Sequence, residues 1–147
     1  MRAVVTRVSS ASVTADGAVT GRIDKGLLVL LGVAPNDTAN EAARLADKIT
    51  GLRIFEDDRG KMNLNLSAVG GGLLVVSQFT LFADLKSRRP GFSGAAKPDI
   101  AMALYEYFIA QCRQAGYQTE TGIFGADMAV MSVNDGPVTL VLDTAAN

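Results

Sequence analysis

Residues 73–82 read LLVVSQFTLF, a run in which four large apolar residues lead directly into the polar Ser77, Gln78 and Thr80. A continuous apolar run of this kind is typical of a strand buried on both faces, and we predict one strand over 73–82. Residues 27–34, LLVLLGVA, have the same character. Two such strands predict a sheet with other structure packed against it, as in α/β domains.

Shorter segments around these two runs also predict strands. They are rich in β-branched residues, and several are bounded by the glycine, proline, asparagine or aspartate residues that mark turns. These segments are residues 2–8, 11–16, 17–24, 52–57, 117–124, 128–133 and 138–143. The close spacing of the first three predicts an early hairpin.

Two helices are predicted between the strands. The first covers residues 39–50, with Asp37 or Thr38 as its capping residue. The second opens at Pro98 and ends at Gly116. Apolar residues recur at helical spacing in both and predict their core faces: Ala42, Leu45, Ala46 and Ile49 in the first, and Ile100, Leu104, Phe108 and Cys112 in the second.

The composition agrees with one domain built from these elements. The chain has 147 residues, 48% of them hydrophobic, and no apolar run is long enough to cross a membrane. We therefore expect an α/β fold of mixed, mostly antiparallel sheets, with two main helices layered on one side and residues 1–147 in a single compact domain. The N-terminus lacks the unbroken apolar stretch of a secretory signal, which favours a cytoplasmic protein.

The absence of histidine removes several kinds of catalytic site. With no histidine and one cysteine, the chain can form neither a Ser-His-Asp triad, nor a Cys-His pair, nor a common zinc site. The one cysteine, Cys112, is expected to be a small core residue in the second helix. Any catalysis must therefore use carboxylates, hydroxyls, lysine or arginine, backbone groups, or the substrate itself.

The polar residues within 73–82 are the first candidates for chemistry. Ser77, Gln78 and Thr80 follow a buried run, where an unpaired polar group costs about 1–3 kcal/mol. They can pair with neighbouring backbone at the strand end, or they can present hydroxyl, amide and backbone N–H groups to a substrate. The ring of Phe79, embedded in the same run, is expected to lie in the core rather than to stack on a ligand.

The second candidate is NDGPVT, residues 134–139, between two predicted strands. Asn-Asp-Gly indicates a turn, yet Pro137 follows at once, although proline cannot donate to a strand ladder. The Gly136–Pro137 bond is either an ordinary trans bond in a turn or a cis bond, which is rare and usually serves a purpose.

The third candidate is a basic cluster in a molecule of net charge −1. Lys86, Arg88, Arg89 and Lys97 fall in one predicted loop region with no acidic residue among them. Such a cluster is either a solvated loop or a set of phosphate contacts. The overall charge disfavours a sequence-reading nucleic-acid binder, which is usually strongly basic.

The motifs SQFTL and NDGPVT together resemble the D-aminoacyl-tRNA deacylase family, in its bacterial and eukaryotic form. Other segments resemble the family in the same order: RVSSASVT, GLLVLLGV, LRIFED with GKMN, RPGF, LYEYF and TGIFGADM. The resemblance extends from Arg2 to Asp143. The loop ADLKSRRPGF departs from the usual family pattern, ADTxKGxRPSF, because it is one residue shorter and has Gly91 where serine is common.

The resemblance implies an activity and a site. The family hydrolyses the ester bond between a D-amino acid and the 3′-terminal adenosine of tRNA, also releases glycine from mischarged tRNA, and spares L-aminoacyl-tRNA. It implies a homodimer with the active site at the subunit interface, and neither a metal nor a cofactor. The implied catalytic residues are Ser77, Gln78, Phe79 and Thr80, with Gln78 bonding the substrate. The implied chiral filter and substrate walls are Gly136, Pro137, Asn134, Phe124 and Met128.

The filter would act through main-chain atoms. A rigid cis Gly136–Pro137 segment, entering the pocket of the other subunit, would occupy the space that an L side chain needs and would accept hydrogen bonds from the substrate amino group. Rejection by backbone needs no particular side chain. Glycine has no side chain to clash, so it would be cleaved.

Two mechanisms are compatible with these residues. In one, Thr80 attacks and forms an acyl-enzyme, which requires an activating base that the sequence does not place nearby. In the other, water attacks, backbone N–H groups of Phe79 and Thr80 stabilise the oxyanion, and the ribose 2′-hydroxyl helps to activate the water. We favour direct attack by water because the chain has no histidine.

Two other functions remain open at this point. The first is a non-catalytic module that binds the end of tRNA, which the intact SQFT and Gly-Pro motifs disfavour. The second is a metal-dependent hydrolase, which the lack of histidine disfavours but an all-carboxylate site would allow.

Overall fold

The computed structural model describes residues 1–146. This part of the chain contains eight strands, two α-helices and one 3₁₀ turn, joined by loops. In chain order they are β1 Arg2–Ala15, β2 Ala18–Ile23, β3 Gly26–Gly32, α1 Ala39–Gly51, β4 Phe55–Glu56, β5 Met62–Leu64, β6 Gly72–Ser77, the 3₁₀ turn Phe79–Phe82, α2 Pro98–Gln114, β7 Thr119–Thr121 and β8 Met128–Asp143. Neither α-helix has the length and apolar character that a bilayer-crossing helix needs.

The main sheet is mixed and mostly antiparallel, as predicted. Its strand order is β2-β1-β3-β6-β7, and β8 pairs with β1 as well. β1 is antiparallel to β2, β3 and β8, whereas β3 and β6 are parallel, as are β6 and β7. β2 also approaches β7, since a side chain at Gly21 would lie 2.5 Å from the Thr121 carbonyl oxygen. The sheet therefore curls toward a closed barrel.

The two apolar runs form central strands that are buried on both faces, which confirms their predicted character. In β3, Leu27, Val29 and Leu31 pack into the core beneath the helices, while Leu28 packs into a second core on the opposite face. β6 alternates in the same way. A strand with two buried faces has no position for a polar residue until it ends.

The helices lie in the predicted places, but the buried face of α2 differs from the prediction. α1 is capped by Thr38, whose hydroxyl accepts from the Asn40 N–H, and its predicted apolar residues are buried. In α2, Ile100 is 41% exposed and Leu104 is only partly buried. A series spaced strictly by four drifts by about 40° at each step. The buried face follows a mixed spacing instead: Ala101, Tyr105, Phe108, Ile109 and Cys112.

Several strand boundaries also differ from the sequence prediction. Residues 52–57 form only β4, Phe55–Glu56, residues 117–124 form only β7, Thr119–Thr121, and β5, Met62–Leu64, was not predicted. Residues 2–8 and 11–16 are not separate strands, because the ladder with β8 continues through the polar residues between them and produces one long β1. The predicted strand over 73–82 ends at Ser77, and the 3₁₀ turn begins two residues later, at Phe79.

The segments 128–133 and 138–143 join into the single strand β8 rather than flanking a turn. Asn134 pairs with Val8 and Thr139 with Thr6, so five steps along β8 face only two along β1. The extra residues of β8 bulge out of the ladder, which leaves Gly136 and Pro137 without partners on β1.

Candidate active site

A cavity of about 610 Å³ opens where β3 and β6 end. Its other walls come from residues 92–101, which lead into α2, and from residues 124–130, which lead into β8. Its volume is within the usual range for small-molecule sites. The cavity brings together five of the residues predicted from sequence: Ser77, Gln78, Phe79, Phe124 and Met128.

The floor of the cavity is the junction between β6 and the 3₁₀ turn. The Gln78 N–H donates to the Leu31 carbonyl oxygen at 2.8 Å, which anchors the junction to β3. The next two N–H groups, on Phe79 and Thr80, donate to no acceptor among residues 1–146. N–H groups at the start of a helical turn are free to bind an acceptor from outside. The junction can therefore offer two backbone donors to a bound oxygen atom.

Thr80 has none of the surroundings of an activated nucleophile. Its hydroxyl accepts a hydrogen bond from the Gln78 side-chain amide, which cannot remove a proton. Thr80 is not among the cavity-lining residues. Within residues 1–146, no carboxylate or lysine is hydrogen-bonded to this hydroxyl. A base that would turn Thr80 into a nucleophile is missing from its hydrogen bonds.

The ring of Phe79 lies at the surface, so the prediction of a core position was wrong. It is 54% exposed and contacts the 43% exposed ring of Phe92 edge to face, with 5.2 Å between ring centroids. The physical reason is that β6 ends at Ser77. The alternation that buries every strand residue stops there, and the 3₁₀ turn directs Phe79 outward.

The wall formed by Phe124 is braced by a buried tyrosine. The rings of Phe124 and Tyr105 lie 5.9 Å apart, and the Tyr105 hydroxyl donates to the Val75 carbonyl oxygen at 2.9 Å. Burial raises the pKa of Tyr105 to about 12, so this hydroxyl stays protonated and keeps its hydrogen bond at neutral pH. Met128 is partly buried against the second core and lines the cavity as well.

Ionisable groups are scarce around the cavity. Among the described residues that line it, the carboxylate of Asp127 is the one charged side chain. Residues 1–146 also contain no group of three or more histidine, cysteine, aspartate or glutamate side chains placed to hold a metal ion. The cavity can therefore offer hydrogen bonds, an apolar wall and a single negative charge.

The Gly136–Pro137 bulge lies elsewhere on the surface. The peptide bond is cis, the form that the resemblance implies, and both residues are exposed. Neither of them, nor Asn134, lines the cavity of its own chain. Within one chain, the structure does not bring the two motifs together.

Arg7 holds this bulge, and the sequence analysis missed it. Its side chain is buried, and its Nε donates to the Asp135 carbonyl oxygen at 3.0 Å, with the Asp135 carboxylate 3.2 Å away. Its Nη1 donates to the Ile54 carbonyl oxygen at 2.6 Å. The sequence contained one indication of this role. Ala3, Val5 and Arg7 occupy alternate positions of the same strand, so Arg7 falls on the buried face. Buried charges are rare unless they are paired.

β8 exposes apolar side chains on both of its faces. Val130 is 40% exposed, Met131 73%, Val133 57% and Val141 63%. A strand in a half-buried sheet usually has one apolar face turned to the core and one polar face turned to water. An apolar strand that is exposed on both faces is typical of an interaction surface.

The predicted basic cluster divides into two parts. Lys86, Arg88 and Arg89 lie in a loop closed by paired hydrogen bonds between Asp84 and Gly91, of 2.7 and 3.0 Å. All three are exposed, and within residues 1–146 none of them forms an ion pair. Lys97 lies outside this loop, at the start of α2 and between two cavity-lining residues.

Comparison with known proteins places the whole chain in one family. The family model described as D-Tyr-tRNA(Tyr) deacylase matches residues 4–143. A D-aminoacyl-tRNA deacylase of Anaeromyxobacter dehalogenans (strain 2CP-C) is 61% identical over 98% of this chain and 97% of its own length. One from Pectobacterium carotovorum subsp. carotovorum (strain PC1) is 59% identical over 98% of this chain and its full length.

Two solved structures share the fold of this chain. The structure titled c-Myc DNA Unwinding Element Binding Protein has a TM-score of 0.92 and 41% identity, covering 97% of this chain and 98% of its own. A probable eukaryotic D-amino acid tRNA deacylase has a TM-score of 0.85 at 16% identity, which establishes a common fold, over 96% of this chain and 97% of its own. The chain belongs to the D-aminoacyl-tRNA deacylase family.

Proposed function

We propose that this chain hydrolyses the ester bond of D-aminoacyl-tRNA, and of tRNA mischarged with glycine, releasing free amino acid and tRNA. The observation that carries the proposal is the cavity at the SQFT junction, where the backbone N–H groups of Phe79 and Thr80 have no acceptor among residues 1–146, in a chain about 60% identical to proteins named for this reaction. The reaction is a proofreading step in translation. We place it in the cytoplasm because aminoacyl-tRNA is the substrate of the ribosome.

Direct attack by water is the mechanism that this cavity favours. The developing oxyanion would be bound by the N–H groups of Phe79 and Thr80, and one such donor is typically worth about 2.7–4 kcal/mol. Gln78 would hold the substrate from the same turn. An aminoacyl ester is already reactive, so orientation supplies much of the remaining rate, and the ribose 2′-hydroxyl assists the water.

The site is completed by a second copy of the chain. Gly136 and Pro137 do not line their own cavity, and they project from β8, whose apolar side chains are exposed on both faces. A two-fold dimer through β8 would cover this apolar surface with its own copy. Each bulge would then enter the cavity of the other subunit, where its main-chain atoms reject an L side chain.

Arg7 makes this filter rigid. Its two hydrogen bonds tie the bulge to the body of the chain through the carbonyl oxygens of Asp135 and Ile54. Rejection of the L isomer requires that the backbone does not move away from the clash. Lys86, Arg88, Arg89 and Lys97 would contact tRNA phosphates, and with a net charge of −1 the affinity for tRNA should be modest and sensitive to salt.

Gly136→Ala tests the proposal without disturbing the chain itself. A Cβ at Gly136 would have one neighbour within 4 Å, the Val138 nitrogen at 3.7 Å, an ordinary contact. The substitution fits the single chain, so a kinetic defect reports on contact with something outside it. We expect unchanged thermal stability and a fall of more than about tenfold in hydrolysis of D-Tyr-tRNA, equivalent to a loss of at least about 1.4 kcal/mol.

Gly51→Ala is the matched control. A Cβ at Gly51, at the end of α1, would meet no neighbour within 4 Å, and Gly51 lies far in sequence from both motifs. Its activity should equal that of the wild type. Equal activity of Gly136→Ala, Gly51→Ala and wild type would contradict the filter, and a monomeric wild type in light scattering would contradict the shared site.

A further inference from the structure

We propose that the rings of Phe79 and Phe92 form a stacking site for an unpaired base of the tRNA 3′ end, next to the terminal adenosine. The proposal rests on the proposed function, because that function supplies the single-stranded nucleic acid. It assigns to these side chains a role that the catalytic use of the Phe79 backbone does not require.

The exposure of the two rings is the first observation. Phe79 is 54% and Phe92 43% exposed, and their edge-to-face contact, with 73° between ring planes, leaves ring faces open. Both also line the cavity, so they stand at its edge rather than on a remote surface. Aromatic faces beside a substrate cavity can stack on nucleobases.

The charge beside the rings is the second observation. The loop that carries Lys86, Arg88 and Arg89 is closed at Gly91, the residue before Phe92. The loop is also internally ordered, because the Ser87 hydroxyl donates to the Arg89 carbonyl oxygen at 2.8 Å. Cations that form no ion pair within residues 1–146, in a loop that leads directly into an exposed aromatic ring, are a combination with which proteins bind single-stranded nucleic acid, by phosphate contact and by stacking.

The position of the rings indicates which nucleotide they meet. The reacting ester must lie at the N–H groups of the junction, so the terminal aminoacyl-adenosine occupies the cavity. The strand that precedes it has to leave over the edge. The bases of a single-stranded end are unpaired and can stack on protein aromatic side chains. Stacking of this kind tolerates any base, which suits an enzyme that acts on many tRNAs.

The test compares two substrates in the full-length protein. D-Tyr-tRNA carries the upstream nucleotides, whereas 3′-O-(D-tyrosyl)adenosine carries only the nucleoside that fills the cavity. Phe92→Leu removes the aromatic face and keeps an apolar side chain. We expect KM for D-Tyr-tRNA to rise about tenfold, as stacking energies imply, and the effect on the small substrate to be clearly smaller but not zero, because Phe92 also lines the cavity.

Two further variants make the result specific. Phe92→Tyr keeps the aromatic face and should restore the wild-type KM for D-Tyr-tRNA. Tyr107→Leu removes an aromatic ring that is 38% exposed on α2 and should change neither substrate. A D-Tyr-tRNA with an abasic residue before the terminal adenosine should have a raised KM with wild type. Phe92→Leu should not raise the KM for this substrate any further.

Four outcomes would overturn the inference. If Phe92→Leu slows both substrates equally, the ring shapes the cavity instead of binding a base. If the variant changes the oligomeric state in light scattering, the rings lie in the contact with a second copy. If wild type cleaves neither substrate, the proposed function fails and this inference falls with it, whereas cleavage of both without an effect of Phe92→Leu refutes the stacking site alone.

Discussion

Replacing Arg7 with methionine would test whether a buried guanidinium positions the Gly136–Pro137 bulge. The Arg7 side chain is 6% exposed and supplies two hydrogen bonds, to the Ile54 carbonyl oxygen at 2.6 Å and to the Asp135 carbonyl oxygen at 3.0 Å. Methionine keeps an apolar stem of similar length but donates nothing. Each buried carbonyl left without a donor costs about 1–3 kcal/mol. Water can reach Asp135 and replace part of its lost hydrogen bond. We therefore expect Arg7→Met to lower the free energy of unfolding by about 3 kcal/mol, toward the lower end of the sum of the two costs.

The assay is urea unfolding at one fixed protein concentration, because a dimer's stability depends on concentration. With a denaturant slope of about 1–3 kcal/mol per molar urea, a loss of 3 kcal/mol lowers the midpoint by roughly 1–3 M. Asp135→Asn is the control, since it removes only the charge of a carboxylate that is 48% exposed, worth at most about 1 kcal/mol. Arg7→Met should also slow hydrolysis of D-Tyr-tRNA and weaken rejection of the L isomer. An Arg7→Met midpoint equal to that of Asp135→Asn would show that the guanidinium does not hold the bulge.

Two further predictions follow from the site and the core. Thr80→Ala should keep kcat/KM within about tenfold of wild type, because its hydroxyl is bonded to Gln78 and lies outside the cavity lining; near-complete loss, with an acyl-enzyme trapped in wild type, would favour Thr80 as nucleophile. Burial raises the pKa of Cys112 from 9.0 to about 11 and that of Tyr105 from 10.0 to about 12. The folded state therefore keeps these protons to a higher pH than the unfolded state does. The unfolding free energy should have its highest value below pH 9 and should decrease between pH 9 and 12. Denaturant unfolding at a series of pH values checks this, and a flat profile over that range would contradict it.

The elements that were predicted correctly are those whose pattern is local. Residues 27–31 of β3 and 73–76 of β6 are all apolar because both faces of these strands are buried, so the sequence of the strand alone indicates its burial. α1 has both its cap, Thr38, and its apolar face within about thirteen residues. Such features need no knowledge of the partner. The apolar cavity walls, Phe124 and Met128, were found through the resemblance and not through periodicity.

The features that were missed depend on a distant partner. β8 continues through Gly136 because β1 lies beside it and accommodates the extra residues as a bulge, which the local turn pattern does not reveal. Phe79 is exposed because β6 ends at Ser77, although the apolar run itself continues. Arg7 is buried because two carbonyl oxygens, from residues 47 and 128 positions away, converge on it. Propensity and periodicity carry no information about such contacts.

The first experiment is hydrolysis of D-Tyr-tRNA and L-Tyr-tRNA by the purified protein, side by side and with EDTA present. We expect rapid release of D-tyrosine and an intact L ester, with no effect of the chelator. Cleavage of both esters at similar rates would contradict the chiral filter. If neither ester is cleaved while tRNA still binds, the protein is a binding module and the hydrolytic mechanism is wrong.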